Sequence, residues 1–239
     1  MTGPSRLDAE WQRLYGAPAD GGGVRALVLE LGRPAEWPPL GRLWSAVQAE
    51  LGLPAPAIAV SGSQGLQLWF SLRQAVGPAQ GQALMARLRD RYLADLAPHR
   101  IHLWPAVTSS GAVEPPARVP ALQPDGGRWS AFVAPDLAGL FADTPWLDLP
   151  PSDDGQASLL AGLACASPEQ VAAALGRLGP AADGAAVPSP SLSPSTAAPA
   201  ALVATTDPQA FLQAVMNDAT VPLALRIEAA KALLPPRGP

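Results

Sequence analysis

Apolar residues along this chain fall into short blocks whose spacing alternates between that of strands and that of helices. Val24–Leu31 (VRALVLEL), bounded by Gly21-Gly22-Gly23 and Gly32-Arg33-Pro34, predicts a buried strand. Pro38 and Pro39 then open LGRLWSAVQAEL, in which Leu40, Leu43, Trp44, Val47 and Leu51 recur at helical spacing. A short strand over 56–60, the turn Ser61-Gly62-Ser63-Gln64-Gly65 and a mostly buried strand over 66–72 (LQLWFSL) follow, together a hairpin with a glycine-rich turn. Over 79–96, Leu84, Leu88, Tyr92 and Leu96 share one stripe while Arg87, Asp90 and Arg91 face away, which predicts an amphipathic helix.

After a strand candidate at 101–104, a Pro- and Gly-rich stretch runs to Gly127. A strand over 129–133 (WSAFV) and a helical turn after Pro135 with Leu137, Leu140 and Phe141 come next. A helix is expected over 158–164. A better-marked one begins at Ser167-Pro168-Glu169-Gln170, an N-cap, a first-turn proline and a capping-box glutamine ahead of VAAALGRL. The order predicts an α+β domain over 1–179: a mixed or antiparallel sheet with helices on one face.

Residues 180–206 mix Pro, Ser, Ala and Thr without an apolar period and predict a disordered linker. A helical hairpin is expected over 207–235: Asp207-Pro208 starts a helix with Phe211, Leu212, Val215 and Met216 on one face, and Pro222 lies in the first turn of a second. So small a hairpin must dock on the main domain, self-associate or bind a partner.

Composition removes several function classes. Charged residues are only 15% of the chain and apolar ones 48%, so most of it can bury a core. Fifteen arginines against the single Lys231, with 29 prolines, point to a GC-rich genome and weaken any argument from proline content alone. The single Cys165, in an Ala-rich apolar context without basic residues nearby in sequence, excludes an internal disulfide and reads as a packed core thiol. Only His99 and His102 are available as bases, and no G-x-S-x-G elbow or G-x-x-x-x-G-K-[ST] loop occurs. Serine hydrolase and P-loop chemistry are therefore not expected. No basic-then-apolar leader and no run of 18 apolar residues are found, so neither export nor membrane insertion is expected and the cytoplasm is the default.

The stretch Ser61 to Leu72, SGSQGLQLWFSL, is the most informative. Its glycines suit either a plain tight hairpin or the close approach of a phosphate to backbone amides. A strand carrying the acid Glu30, a helix, a strand entering S-G-x-x-G-x-(polar)-hydrophobic-W-F and an amphipathic helix resembles the core of the archaeo-eukaryotic primase superfamily, the prim-pols, over residues 24 to about 178. The resemblance implies an RRM-like sheet, a pair of acids one residue apart that hold divalent metals, a Ser-x-His whose His contacts nucleotide phosphates, and a third metal-binding Asp on a later strand.

Carried onto this sequence, Glu30 stands for one acid, while Val28 or Gly32 offers no second carboxylate. Gln67 occupies the place of the histidine, and Ile101-His102-Leu103-Trp104 lacks the Asp. Paired-metal phosphoryl transfer needs carboxylates that bridge two ions about 4 Å apart, so the resemblance implies a degenerate, non-catalytic member acting in DNA replication or processing. Glu30 is the one catalytic or metal-ligand candidate, with Mg or Mn required only if activity survives. Ser61, Gly62, Gly65, Gln67, Arg73, Arg128 and Trp129 are the candidate nucleotide or nucleic-acid contacts, with single-stranded DNA or a nucleotide as the ligand.

Charge is segregated along the chain. Residues 66–104 carry five arginines against Asp90 and Asp95, a local net of +3, whereas 105–180 carry three arginines against eight acids. That suits an electrostatic footprint for nucleic acid or, for Arg87 and Arg91, the ion-paired solvated face of a helix. A net charge of -4 argues against indiscriminate tight DNA binding. Trp44 and Trp69 read as core, while Trp37, Trp104, Trp129 and Trp146 flank loops where a ring could stack a base or cover a core edge.

The tail DPQAFLQAVMNDATVPLALRIEAAKALLP is similar to a short helical segment of phage terminase small subunits, implying a bacterial phage or mobile-element setting and a replication or packaging protein as partner of 207–235. Two rival readings stand beside the degenerate prim-pol. One is an active primase-polymerase recruiting Asp148, Asp153 or Asp154. The other is an adaptor whose core does not touch nucleic acid.

Overall fold

The computed structural model describes residues 3–18, 23–107 and 112–179, all within one unit of the chain, Met1–Val187. The linker expected over 180–206 and the hairpin over 207–235 lie outside the described residues. No helix among them is long and apolar enough to cross a membrane.

The chain begins with α1 (Arg6–Tyr15), capped by a reciprocal box in which Ser5 Oγ accepts from the Asp8 amide and the Asp8 carboxylate accepts from the Ser5 amide. Next come β1 (Val24–Leu31), α2 (Trp37–Ala49), β2 (Ala57–Val60), β3 (Leu66–Val76) and α3 (Pro78–Tyr92). β4 (Ile101–Trp104), the two-residue strands β5 (Ala106–Val107), β6 (Val113–Glu114) and β7 (Ala121–Leu122), and then β8 (Trp129–Val133) follow. A 3₁₀ turn at Ala138–Phe141, α4 (Asp153–Ala161) and α5 (Pro168–Leu178) complete the described order. The Ser167–Gln170 capping box forms as the sequence predicts.

Six strands make one antiparallel sheet in the order β4-β1-β3-β2-β8-β7. An α+β domain with an antiparallel sheet is therefore observed.

The helices, however, cover both faces rather than one. Strand alternation sends Leu27, Leu29, Leu31, Leu66, Leu68 and Phe70 to one side, where they pack with buried residues of α2, α3 and α5. It sends Val28, Ala59, Trp69 and Phe132 to the other side, under Leu7, Leu14 and Tyr15 of α1 and Ala157 and Leu160 of α4. β1 and β3 are apolar on both sides of the sheet, so both sides require a cover.

Beyond Trp69, which pairs with Ala57, β3 has no partner residue in β2, and residues 164–166 run alongside instead. The Ala166 amide donates to the Ser71 carbonyl (2.8 Å), the Arg73 amide donates to the Ala166 carbonyl (2.9 Å), and Leu72 and Ala166 form a parallel bridge.

Candidate functional site

On the face covered by α1 and α4, three polar side chains stand on adjacent strands at one level of the sheet. Register places His102 of β4 and Gln67 of β3 on either side of Glu30 of β1. Glu30 and Gln67 are buried, at 6% and 9% exposed. Gln67 Nε2 donates to Glu30 Oε2 (2.7 Å), and Trp69 Nε1 donates to Gln67 Oε1 (2.8 Å). The carboxamide is thus fixed at both ends, its orientation dictated by a tryptophan that is 1% exposed and packed edge-on to Tyr15 and Phe132. Burial pushes the Glu30 carboxyl above its ordinary range, and the Gln67 hydrogen bond and the His102 charge pull it back only in part.

Of these, Glu30 and Gln67 line a groove of about 130 Å³, together with Ser61, Ser63, Trp104, Arg118, Gln123 and Ser130. Glu30 and Gln67, expected as one site, are brought together here with Ser61.

The turn that enters β3 is explained by its own hydrogen bonds. Ser61 Oγ accepts from the amides of Gln64 (3.0 Å) and Gly65 (2.9 Å), with Ser63 N at 3.3 Å, and the Gly62 amide donates to the Pro145 carbonyl (3.0 Å). Gly62 has φ +83°, and a Cβ on Gly65 would lie 2.4 Å from the Leu31 carbonyl oxygen. The glycines therefore serve the hairpin and its tight fit on β1. Every amide of the turn already has a partner, so of the two readings that the glycines left open the structure forms the plain hairpin, and Ser61, Gly62 and Gly65 offer no free amide to a phosphate.

Two further candidates fall elsewhere. Arg73 is six residues along β3 from Gln67, roughly 20 Å at ~3.3 Å per residue; its electrostatic neighbour is Glu169 at the start of α5. Trp129 alternates with Ser130 and Phe132, so it faces the opposite side of the sheet from the groove. Arg128 does not line the groove, although its carbonyl accepts from the amide of Gln123, which does (2.8 Å); its guanidinium caps Trp146, with its carbon 4.2 Å from the ring centroid.

The α3 arginines sit on the layer behind the sheet. Arg89 pairs with Asp90 (2.6 Å), Arg91 pairs with Glu50 (3.7 Å), and Arg87 Nη1 donates to the Leu175 carbonyl (3.4 Å). Arg89 and Arg91 are thus ion-paired, Arg91 to Glu50 and not to Asp90 or Asp95, whereas Arg87 has no carboxylate partner among the described residues and buries its Nε; none of the three lines the groove.

The donor set does not fit a pair of divalent ions. Glu30 is the one acid lining the groove, and among the described residues no three His, Cys, Asp or Glu side chains come together. Asp148 accepts from Trp146 Nε1 (3.1 Å), and Asp153 and Asp154 occupy the first turn of α4, so none of the three joins Glu30. Cys165 is half-buried at the edge of the second core, with its thiol toward the Arg13 carbonyl.

Two arginines at the groove escape sequence reading. Arg118 is ion-paired to Asp8 and stacked on Trp11, which draws the 116–119 loop over the groove. Arg33, beside Ser63, and Trp146, beside Arg128, lie at its lip. No family model matches the chain, and no curated protein matches it.

Proposed function

We propose that this domain is a prim-pol-like module that binds single-stranded nucleic acid without copying it, with a role in DNA replication or processing. The observation that carries the non-catalytic half is the environment of Glu30: one buried carboxylate held by a carboxamide that is itself locked by Trp69, with an imidazole on the next strand. Two-ion phosphoryl transfer requires at least one more acid within bridging reach.

The binding half is supported by the polar groove beside Arg33, Arg128 and Trp146, and by the order strand, helix, hairpin, helix, strand running from β1 to β4. The engaged turn amides narrow the ligand from a free nucleotide to a strand held by side chains. The same engaged amides favour one alternative, an adaptor whose core touches no nucleic acid.

The test is primer extension by the full chain with Mg²⁺ or Mn²⁺, run beside fluorescence anisotropy on a labelled oligonucleotide. Binding without incorporation is expected. Incorporation abolished by Glu30→Ala would overturn the reading in favour of an active polymerase, and absence of binding at low salt would favour the adaptor.

A further inference from the structure

Arg33 follows β1 and Arg128 opens β8, yet both guanidiniums come to the same indole. Their central carbons lie 5.8 Å and 4.2 Å from the Trp146 ring centroid, which puts them within about 10 Å of one another. Arg33 is exposed, its Nη2 donates to the Ser63 carbonyl (3.2 Å), and it forms no ion pair among the described residues. Arg128 has only the exposed Asp125, at 3.9 Å, which is weak compensation in water. By contrast Arg89, Arg91, Arg100 and Arg118 each have a carboxylate partner.

The patch is also firmly built. The Gly62 amide is bonded to the Pro145 carbonyl, and Leu147 and Trp129 exchange two backbone hydrogen bonds (2.8 and 3.0 Å), so the Trp146 segment is fixed to both the turn and β8. Ser63, which Arg33 touches, also lines the groove. Two under-compensated guanidiniums thus stand at the lip of a polar cleft about the size of one heterocyclic base.

Resting on the proposed function, we infer that single-stranded nucleic acid is gripped at this lip. Arg33 and Arg128 take neighbouring phosphates of one strand, Trp146 holds both guanidiniums in place, and the turn amides and Arg73 take no part. Guanidinium forks suit phosphate oxygens, and stacking on an indole leaves their in-plane N–H donors free. The adjoining cleft favours a polymer carrying bases over an acidic peptide.

The test uses the full chain and a fluorescein-labelled dT20, with anisotropy measured over a salt series. Each phosphate contact to a single strand contributes about 0.7 to the slope of log K against log salt. Arg33→Gln and Arg128→Gln are each expected to weaken binding several-fold and lower that slope by about 0.7, and the double variant by about 1.4. Arg73→Gln should leave the slope unchanged, and Arg128→Lys should keep most of it. Binding by the wild type with unaltered slopes in both glutamine variants overturns the lip while leaving the proposed function standing; no binding by the wild type overturns both. Competition by polyglutamate equal to that by unlabelled dT20, at matched charge, overturns the lip as a nucleic-acid site and makes it a general anion face.

Discussion

Replacing Gln67 with leucine probes the chain of hydrogen bonds that organises the groove. The substitution keeps an apolar-compatible volume on a strand position that is 9% exposed, but removes both the donor to Glu30 and the acceptor of Trp69 Nε1. Each buried group left without its partner costs about 1–3 kcal/mol, with the charged carboxylate at the upper end. The expected loss is therefore about 2–6 kcal/mol, a large part of the ~5–15 kcal/mol that holds an ordinary domain together. Urea denaturation of the full chain, followed by tryptophan fluorescence at neutral pH, measures it.

The loss should shrink as pH is lowered, because a protonated Glu30 no longer needs a donor for its charge. Adding Glu30→Leu removes one of the stranded groups, so the double variant should be less destabilised than the two single losses predict, by about 1 kcal/mol or more. A loss under about 1 kcal/mol, or strict additivity, would refute the idea that Gln67 is the clasp between the acid and the indole.

Two further outcomes are expected. Burial raises the Glu30 carboxyl above its ordinary value of 4.5, so between that pH and its folded value the native state holds a proton the unfolded chain has released. Stability should fall as pH rises through that window, and Glu30→Gln should flatten this part of the pH–stability curve in the same urea assay. Leu14→Ala on α1 empties a fully buried position under Trp69 and its neighbours and should cost about 2–5 kcal/mol; a loss near zero would mean α1 is not part of the second core.

Local pattern carries much of this fold. β1, β4 and β8 have the boundaries that their apolar runs predict, and α5 starts at the Ser167 capping box. α1 is harder to read, because its stripe of Leu7, Trp11, Leu14 and Tyr15 is interleaved with the charged Asp8, Glu10 and Arg13 and its cap uses Asp8 where glutamate or glutamine is usual.

The expectation of helices on one face conflicts with a signal already present in VRALVLEL and LQLWFSL: a strand without polar alternation has no face to offer to water. In the site, Glu30 and Gln67 meet across the β1–β3 pairing with α2, β2 and the turn between them in sequence, so alternation tells only which face each takes, and the pairing itself is suggested by the order of elements. The meeting of Arg33 with Trp146, more than a hundred residues apart, depends on how the loop after the 3₁₀ turn folds back on the turn. No local spacing encodes that.

The short splice at 164–166 has a consequence for the molecule among its own copies. Without it, the far end of β3 would present a row of unmatched backbone donors and acceptors, the kind of ledge onto which a strand from a second molecule can add. By occupying that ledge from within the chain, the connection between α4 and α5 acts as a guard against fibril-like self-assembly, a task unrelated to whatever the groove holds.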